Sequence, residues 1–381
     1  MEKQYKLCCP CLFGLESVLS GEVKRLGFEG IEVTDGRVEF MSDAVGIARA
    51  NLSLRTAERV MIVLGEFKAQ SFQELINHSE QLPFEEFIGR KDAFPVKGWS
   101  LNSALHSVPD CQSIIKKAAV NRLGKKYGVG WLEETGPVVP IRFSIIKDHV
   151  TVMLDTSGVS LHKRGYRKAA NLAPIKETLA AGILDLARIY PDPDFYDPFC
   201  GSGTFLIEAA YKAKNIAPGI YRRFAAEKWS CLNGKIWQEG RGEALDLVRP
   251  DSDVTFMAHG SDISEEALEI TEANARRAGV LKFIELEKRD ALEFTVPDHK
   301  SLVVTNPPYG ERLLDEAETT KLYQELGKVF VPSENTAYYI ISSQEEFEQN
   351  FGRKADKRRK LYNGMMKCNL YMYFAKRKAN H

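Results

Sequence analysis

The stretch Phe195–Phe205, FYDPFCGSGTF, decides the fold. Its first residues are typical of the end of a short strand, and Gly201 and Gly203 then turn the chain into a helix that begins TFLIEAA. Two glycines at such a turn let the backbone approach a ligand closely, and the first amides of the helix point at that ligand. The stretch therefore predicts a strand, a ligand-binding turn and a helix, as in α/β proteins with a parallel sheet.

The residues that follow continue the alternation of strand and helix. Strand-like segments recur at VTFMAH, FIELEK and SLVVT, and EEALEITEANARRAGV between the first two has the spacing of an amphipathic helix. Such alternation predicts a parallel sheet with helices on both faces. The segment 217–251 interrupts it with Trp229 and Trp237, which would form either a lid or a local core.

Acidic side chains stand at the ends of three successive predicted strands: Asp197, Asp262 and Asp290. An NAD-binding turn would require a third Gly or Ala where Leu206 stands, and an acid about 20 residues further on, so this alternative is weakened. Asp262 can accept both hydroxyls of a ribose, and Asp290 can accept from an adenine amino group. Either acid could instead be a helix cap, but the three in order predict a nucleoside-binding edge of the sheet.

The fourth predicted strand, SLVVT, is followed by Asn306, Pro307, Pro308 and Tyr309. The amide oxygen of Asn306 and the carbonyl of Pro307 can accept both hydrogens of an exocyclic amine, which leaves the nitrogen lone pair ready to attack a methyl group. The prolines stiffen the loop, and Tyr309 offers a flat face for an unstacked base. An isolated tetrapeptide of this kind favours a plain turn; after the preceding motifs it predicts a catalytic loop.

The strings DPFCGSGT, SDIS, RDA and NPPYGERL, in this order, resemble the class I S-adenosylmethionine-dependent methyltransferases that modify exocyclic amines. Longer strings, SLHKRGYR, APIKETLAAGIL and IAPG, resemble the THUMP-containing ribosomal RNA guanine-N2 methyltransferases of the RlmL and YpsC kind. CLFGLESVLSGEVKRLGF and CQSIIKKAAVNRLGKKY are similar to the same family, so the resemblance extends over nearly the whole chain.

The resemblance implies an α/β fold with a Rossmann-like methyltransferase domain at residues 159–381, preceded by a ferredoxin-like unit at 1–65 and a THUMP RNA-binding domain at 66–158. It implies S-adenosylmethionine as the cofactor, and catalysis by Asn306, Pro307, Pro308 and Tyr309. The cofactor-binding residues that it implies are Asp197, Phe199, Gly201, Gly203, Thr204, Asp262, Ile263, Asp290, Ala291 and Asn306.

Net charge gives no sign of a nucleic-acid partner, because 52 Lys and Arg balance 52 Asp and Glu. Any RNA must therefore be held by local basic patches. The helix predicted at CQSIIKKAAVNRLGKKYGV and the basic run GRKADKRRKLYNG are two such patches, and each is equally typical of a solvated face or loop. The resemblance to THUMP domains implies that the first patch contacts RNA. The candidate RNA contacts are Lys116, Lys117, Arg122, Arg164, Arg167, Lys357 and Arg358, with Lys168 beside the two arginines.

Seven cysteines without paired spacing favour free thiols over a zinc site, so no metal is expected. No signal peptide and no long apolar run are present, so we expect a cytoplasmic protein with no membrane contact and no obligatory protein partner. The resemblance implies methylation of guanine N2 in 23S ribosomal RNA, and we expect no second methyltransferase activity. The alternatives are an adenine-N6 methyltransferase acting on DNA or RNA, and a non-catalytic RNA-binding or assembly protein.

Overall fold

The computed structural model describes residues 3–167, 174–189, 194–232, 234–308 and 316–375. The chain divides into two compact units, which are described separately. The N-terminal unit contains Met1–Cys11, Ser20–Leu161 and Arg222–Ala244, and the α/β unit contains Leu12–Leu19, His162–Tyr221 and Leu245–His381.

Each unit contains one seven-stranded sheet, and the strands and helices are numbered along the chain. The strands are β1 (Tyr5–Pro10), β2 (Glu29–Thr34), β3 (Arg37–Ser42), β4 (Met61–Lys68), β5 (Val96–Leu101), β6 (Ile141–Ile146), β7 (His149–Asp155), β8 (Asp194–Asp197), β9 (Ala258–Asp262), β10 (Ile284–Lys288), β11 (Ser301–Thr305), β12 (Thr336–Ser342), β13 (Lys357–Asn363) and β14 (Met366–Tyr373). The helices are α1 (Glu16–Arg25), α2 (Ala44–Ser53), α3 (Phe72–Ser79), α4 (Val108–Tyr127), α5 (Glu177–Leu186), α6 (Thr204–Ala213), α7 (Gly234–Asp246), α8 (Glu265–Ala278), α9 (Glu316–Val329) and α10 (Phe347–Asn350).

The sheet of the N-terminal unit has the order β2-β3-β1-β4-β7-β6-β5. Its pairs are antiparallel, except that β5 runs parallel to β6. The hairpin of β6 and β7 turns at Lys147 and Asp148, which both have positive φ, 50° and 64°. A turn with two such residues matches the twist of the strands that it joins. α4 packs on this sheet through buried residues at helical spacing, among them Ile115 and Leu123.

The two tryptophans of the segment 217–251 belong to the core of the N-terminal unit. Trp229 is 2% exposed, and its indole N–H donates to the carbonyl of Val138 at 3.0 Å. Trp237 is 3% exposed and stacks on Phe224 with 5.3 Å between ring centroids. These contacts favour the local-core alternative over a lid.

The α/β unit has the strand order β10-β9-β8-β11-β12-β14-β13. The first five strands are parallel, and β14 and β13 close the sheet with antiparallel pairs. β8 is the middle one of the five parallel strands, with β9 on one side and β11 on the other. This order arises because the chain, after β10, returns to the other side of β8 to form β11. Ligands of open α/β sheets bind at such a point of reversal, outside the carboxyl ends of the strands. The predicted α/β fold with a Rossmann-like sheet is confirmed.

No helix within the described ranges is long and apolar enough to cross a membrane. All seven cysteines fall inside these ranges, and each is a free thiol. In the same part of the chain, no group of three or more His, Cys, Asp or Glu side chains is placed to hold a metal ion.

Candidate functional site

The carboxyl ends of three adjacent parallel strands bring three of the predicted site residues to one edge of the sheet. Asp197 is the last residue of β8, Asp262 is the last residue of β9, and Asn306 directly follows β11. The strand order places β8 between the other two. Residues that are 44 or more positions apart in the sequence therefore meet at the point where the strand order reverses.

The turn between β8 and α6 has a backbone that only glycine adopts easily. Gly201 has φ +53° and Gly203 has φ +78°, both in the left-handed region. A Cβ on Gly203 would lie 2.6 Å from Cγ2 of Thr271, so a side chain at this position would clash as well as strain the backbone. The Gly201 N–H donates to Asp262 Oδ2 at 3.0 Å, which ties the turn to the end of β9.

Two side chains of α8 hold the carbonyl groups of this turn. The Thr271 hydroxyl donates to the carbonyl of Gly201 at 2.8 Å, and the Asn274 amide donates to the carbonyl of Ser202 at 3.0 Å. Both side chains are buried, at 0% and 1% exposure. The sequence reasoning missed them; the available signal was a pair of polar residues, three apart, on the inward face of an amphipathic helix.

Asp197 is a buried carboxyl group, 2% exposed. Burial raises its pKa to about 7, and the nearby Asp262 charge acts in the same direction. Two hydrogen bonds oppose the rise: Oδ1 accepts from the Thr305 hydroxyl at 2.7 Å and from the Phe199 N–H at 3.2 Å. The site thus contains a carboxyl group that titrates near neutral pH.

Asn306 presents a buried acceptor. Its Oδ1 has no hydrogen-bond partner within the described part of the chain. Pro307 is buried, and the carbonyl of Pro308 accepts from the Tyr323 hydroxyl at 3.3 Å, which fixes the loop to the core. An unpaired buried acceptor costs about 1–3 kcal/mol. At this edge of the sheet, the position of Oδ1 suits a ligand that donates a hydrogen bond. Tyr309, the fourth predicted catalytic residue, lies outside the described residues.

The second acid of the edge is held in place and has an exposed apolar neighbour. Asp262 accepts one backbone N–H on each oxygen, Gly201 on Oδ2 and Ser264 on Oδ1, both at 3.0 Å. Ile263 is 67% exposed, which is unusual for a large aliphatic side chain between a strand and a helix. A fixed carboxylate beside an open apolar surface suits the ribose and the base of a nucleoside.

The third acid lies slightly beyond its strand. β10 ends at Lys288, and Asp290, two residues later, begins a short 3₁₀ turn. Its Oδ1 accepts from the Leu292 N–H at 2.9 Å, and the carboxylate is exposed. Ala291 is buried in the core of the unit. The expectation that Asp290 ends the strand is corrected by two residues, because the chain leaves the sheet before it.

Arg167 contacts the first residue of α6, Thr204. Its Nη2 donates to the Thr204 hydroxyl at 2.6 Å and to the carbonyl of Ile175 at 3.0 Å. Thr204 follows Gly203 directly and is buried. Phe199, another of the predicted cofactor-binding residues, is partly buried and packs against the core of the unit. Arg167 therefore adjoins the glycine turn, so its position suits a ligand of that turn better than a surface phosphate.

Arg164 is buried in an ion pair, which corrects its prediction as an RNA contact. Its side chain is 1% exposed, and Nε lies 3.2 Å from Oε1 of Glu208, whose side chain is fully buried. The Tyr166 hydroxyl donates to the same oxygen at 3.2 Å. A phosphate could not reach this guanidinium group without unfolding the surrounding residues.

Two cations of α4 also have partners inside the protein. Lys116 Nζ lies 2.6 Å from Glu134 Oε1 and 3.4 Å from the centroid of the Phe94 ring. Arg122 donates to both carboxylate oxygens of Glu85, at 2.9 and 2.5 Å. These pairs do not favour the phosphate contacts predicted for Lys116 and Arg122.

The other predicted RNA contacts are exposed. Lys117 lies on the outer face of α4, and no ion pair joins it to any described residue. Lys357 and Arg358 begin β13, an edge strand, so this part of the basic run is a strand, whereas the residues before it, up to Asp356, form a loop. Arg358 lies 3.1 Å from Glu348 and keeps more than half of its side chain exposed.

Comparison with known families gives three matches along the chain. A family described as an RMKL-like methyltransferase domain matches residues 164–372. An RlmL ferredoxin-like domain matches residues 6–61, and a THUMP domain matches residues 69–155.

Similar proteins extend over the whole chain. YpsC of Bacillus subtilis (strain 168), which carries the provisional name of an RNA methyltransferase, is 42% identical over 98% of this chain and 97% of its own. The ribosomal RNA large subunit methyltransferase K/L of Psychromonas ingrahamii is 34% identical over 96% of this chain, which spans only 49% of that relative.

Solved structures give the same correspondence in three dimensions. SMU.472, provisionally described as a methyltransferase and solved in complex with SAH, has a TM-score of 0.92 and 40% identity, with all of both chains covered. A Listeria monocytogenes protein described as a predicted N6-adenine-specific DNA methylase has a TM-score of 0.90 and 44% identity over 98% of this chain and 97% of that one.

Proposed function

Because the chain belongs to the RMKL-like methyltransferase family, we propose that it methylates an exocyclic base amine, guanine N2, in large-subunit ribosomal RNA. The chain is an S-adenosylmethionine-dependent methyltransferase. What we propose is the identity of the methylated base, the identity of the RNA substrate and the roles of the individual residues. The observation that carries it is the buried Oδ1 of Asn306 at the carboxyl edge of β11, which has no hydrogen-bond partner among the described residues.

The residues at the sheet edge fit the cofactor. Gly201 and Gly203, both with positive φ, carry no side chains. The methionine part of the cofactor could therefore approach the backbone of this turn closely. Asp262 would accept the ribose hydroxyls, Ile263 would pack on the adenine, and Asp290 would accept from the adenine amino group. When bound there, S-adenosylmethionine supplies an electrophilic methyl group.

Asn306 and Pro307 would orient the substrate amine. The Asn306 amide oxygen and the Pro307 carbonyl accept its two hydrogens, so the nitrogen lone pair remains free and aligned for attack. The nitrogen would take the methyl group from S-adenosylmethionine, which would leave as S-adenosylhomocysteine. The methylated nitrogen would then lose one proton to solvent, because neither acceptor is a base at neutral pH. The acceleration thus comes from orientation and from acceptors fixed before the substrate arrives.

The choice of RNA over DNA rests on the N-terminal unit. The THUMP match, the name of YpsC and the name of the K/L relatives all support an RNA substrate, and the K/L name supports large-subunit ribosomal RNA. The description of the Listeria structure supports the second candidate, an adenine-N6 methyltransferase. Asn306 and Pro307 would contact only the amino group, so they serve either base.

The proposal retains three domains, at residues 1–65, 66–158 and 159–381. The limits of the three family matches, 6–61, 69–155 and 164–372, support this division. A cytoplasmic location is part of the proposal and is supported by the seven free thiols, which suit a reducing compartment.

The test is methyl transfer from labelled S-adenosylmethionine to ribosomal RNA taken from cells that lack the gene, followed by separation of the nucleosides. We expect label in N2-methylguanosine, and none with Asn306→Ala. Label in N6-methyladenosine would overturn the choice of base. Label in DNA and not in RNA would overturn the substrate. A cellular role that Asn306→Ala leaves intact would favour a non-catalytic protein.

A further inference from the structure

The C-terminal part of α4 forms one side of an open groove in the N-terminal unit. The groove has a volume of about 560 Å³ and is lined by Asn121, Gly124 and Lys125 of the helix and by Gly128, Gly130 and Leu132 of the segment that follows, among others. A space of this size is within the range of small-ligand sites, which include nucleotides. A Cβ added at Gly128 or Gly130 would meet nothing within 4 Å, so backbone is open to an approaching ligand here.

Trp131 stands beside this groove, between two residues that line it. It is 81% exposed, whereas the next residue, Leu132, is 7% exposed and anchors the segment. The other exposed tryptophan of the unit, Trp99 on β5, is 48% exposed. A large ring left in water offers a flat apolar face, and stacking of a nucleic-acid base on such a face is favourable for any base.

The exposed face of α4 adds positive charge. Lys117 and Lys125 are eight residues apart, so they lie on the same side of the helix, and both are exposed. No ion pair joins either of them to any described residue. Lys125 lines the groove itself.

The acidic groups near the groove already have partners. Glu133 and Glu134, which follow Trp131 and Leu132, lie 3.7 Å from Lys91 and 2.6 Å from Lys116. Glu80 accepts from the Asn121 amide at 2.6 Å, and Glu85 pairs with Arg122. The lysines of the exposed face therefore remain available for an anionic ligand.

We propose that this groove binds a single-stranded segment of the substrate RNA. One base stacks on Trp131, and phosphates contact Lys125 and Lys117. A single strand fits better than a duplex, because the bases of a duplex are stacked on one another and their faces are closed to a side chain. The inference rests on the proposed function, since it takes RNA as the substrate.

The experiment measures binding of the full-length protein to a fluorescent single-stranded oligoribonucleotide of about ten nucleotides by anisotropy. We expect Trp131→Ala to weaken binding by roughly 5- to 100-fold, and Trp131→Phe to retain most of the affinity. Lys125→Ala should lower the slope of log K against log salt by about 0.7, as expected for one phosphate contact of a single strand. Trp99→Ala is the matched control, and its affinity should equal that of the wild type.

Duplex RNA of the same sequence should bind more weakly than the single strand, and the affinity for SAH should be the same in all variants. Wild-type affinity for RNA in Trp131→Ala, or an equal loss of affinity in Trp99→Ala, would contradict RNA binding in this groove and leave the proposed function intact. Absence of RNA binding by the wild type, with SAH still bound, would overturn the RNA substrate itself.

Discussion

The hydroxyl of Thr305 donates a 2.7 Å hydrogen bond to Oδ1 of Asp197, and both side chains are buried, at 0% and 2% exposure. Thr305 is the last residue of β11 and precedes Asn306, whereas Asp197 is the last residue of β8 and precedes the glycine turn. The bond therefore fixes the proposed catalytic loop against the proposed cofactor turn at the point where the strand order reverses.

Asp197 should make the stability of the ligand-free protein depend on pH. Its folded-state pKa of about 7 lies above the ordinary value of about 4, so the buried group favours folding while protonated. This contribution is complete below pH 4 and is lost as pH rises through 7, up to roughly 4 kcal/mol. Asp197→Asn should remove this pH dependence, so the stability of the variant relative to that of the wild type should rise between pH 5 and pH 8. Thermal unfolding of both proteins at the two pH values measures the difference, and a difference that does not change with pH would contradict the prediction.

The same group should couple cofactor binding to proton release. The ammonium group of the methionine part favours the ionised carboxylate, so binding of SAH at pH 7 should release a fraction of a proton from Asp197. Calorimetry in buffers of different ionisation enthalpy measures this number. Methylthioadenosine, which lacks the amino-acid part, is the control and should release none. Equal release by both ligands, or by Asp197→Asn, would show that another group titrates.

Asn306→Ala should abolish activity without loss of stability. Removal of an acceptor that has no partner among the described residues costs the fold nothing, so the melting temperature should stay within about 1 °C of the wild type. The rate constant kcat should fall by roughly 10²- to 10³-fold, as for loss of one preorganised group, with unchanged affinity for SAH. Asn306→Asp keeps an acceptor of the same shape and should retain part of the rate. Equal loss in both variants would mean that Asn306 does more than accept a hydrogen bond.

The site was predictable where its signal is local. Gly201, Gly203 and the acids at strand ends lie next to short apolar runs, and the order of these runs along the chain predicts a shared sheet edge. Thr271 and Asn274 were missed because their role depends on which turn α8 packs against, which no spacing within the helix reveals.

The fold and the basic patches show the same limit. The strands β2 and β5 were missed because each has few apolar residues and most of their side chains are exposed, so they lack the strong apolar signal of a buried strand. Lys116 and Arg122 look like surface cations on a helix, but their partners Glu134 and Glu85 lie 18 and 37 residues away along the chain. Residue spacing within α4 could not separate them from Lys117, which has no such partner among the residues that the structure describes.

Gly203→Ala should weaken cofactor binding, and Gly279→Ala should not. Both glycines have similar positive φ, 78° and 73°, so both variants should lose about 1–2 kcal/mol of stability from backbone strain. Only the Gly203 Cβ would clash, at 2.6 Å from Thr271, whereas the Gly279 Cβ would meet nothing within 4 Å. Affinity for SAH, measured by calorimetry, should therefore fall at least about tenfold in the first variant alone. A similar loss in both variants would point to general destabilisation.

Arg164 and Lys357, both predicted as RNA contacts, should behave in opposite ways. Lys357 is exposed on β13, so Lys357→Ala should keep the melting temperature and lower the salt slope of RNA binding by about 0.7 to 0.9. Arg164→Ala leaves the buried carboxylate of Glu208 without its cation and should cost about 3–5 kcal/mol of stability.

The double variant Arg164→Met with Glu208→Gln tests whether the Arg164 effect is structural. It removes both charges, keeps the length of the two side chains and leaves an oxygen that can accept from Tyr166, so most of the lost stability should return. The folded double variant should bind RNA with the wild-type salt slope, because a guanidinium group with 1% of its side chain exposed makes no phosphate contact. A slope reduced as in Lys357→Ala would mean that the Arg164 region opens when RNA binds.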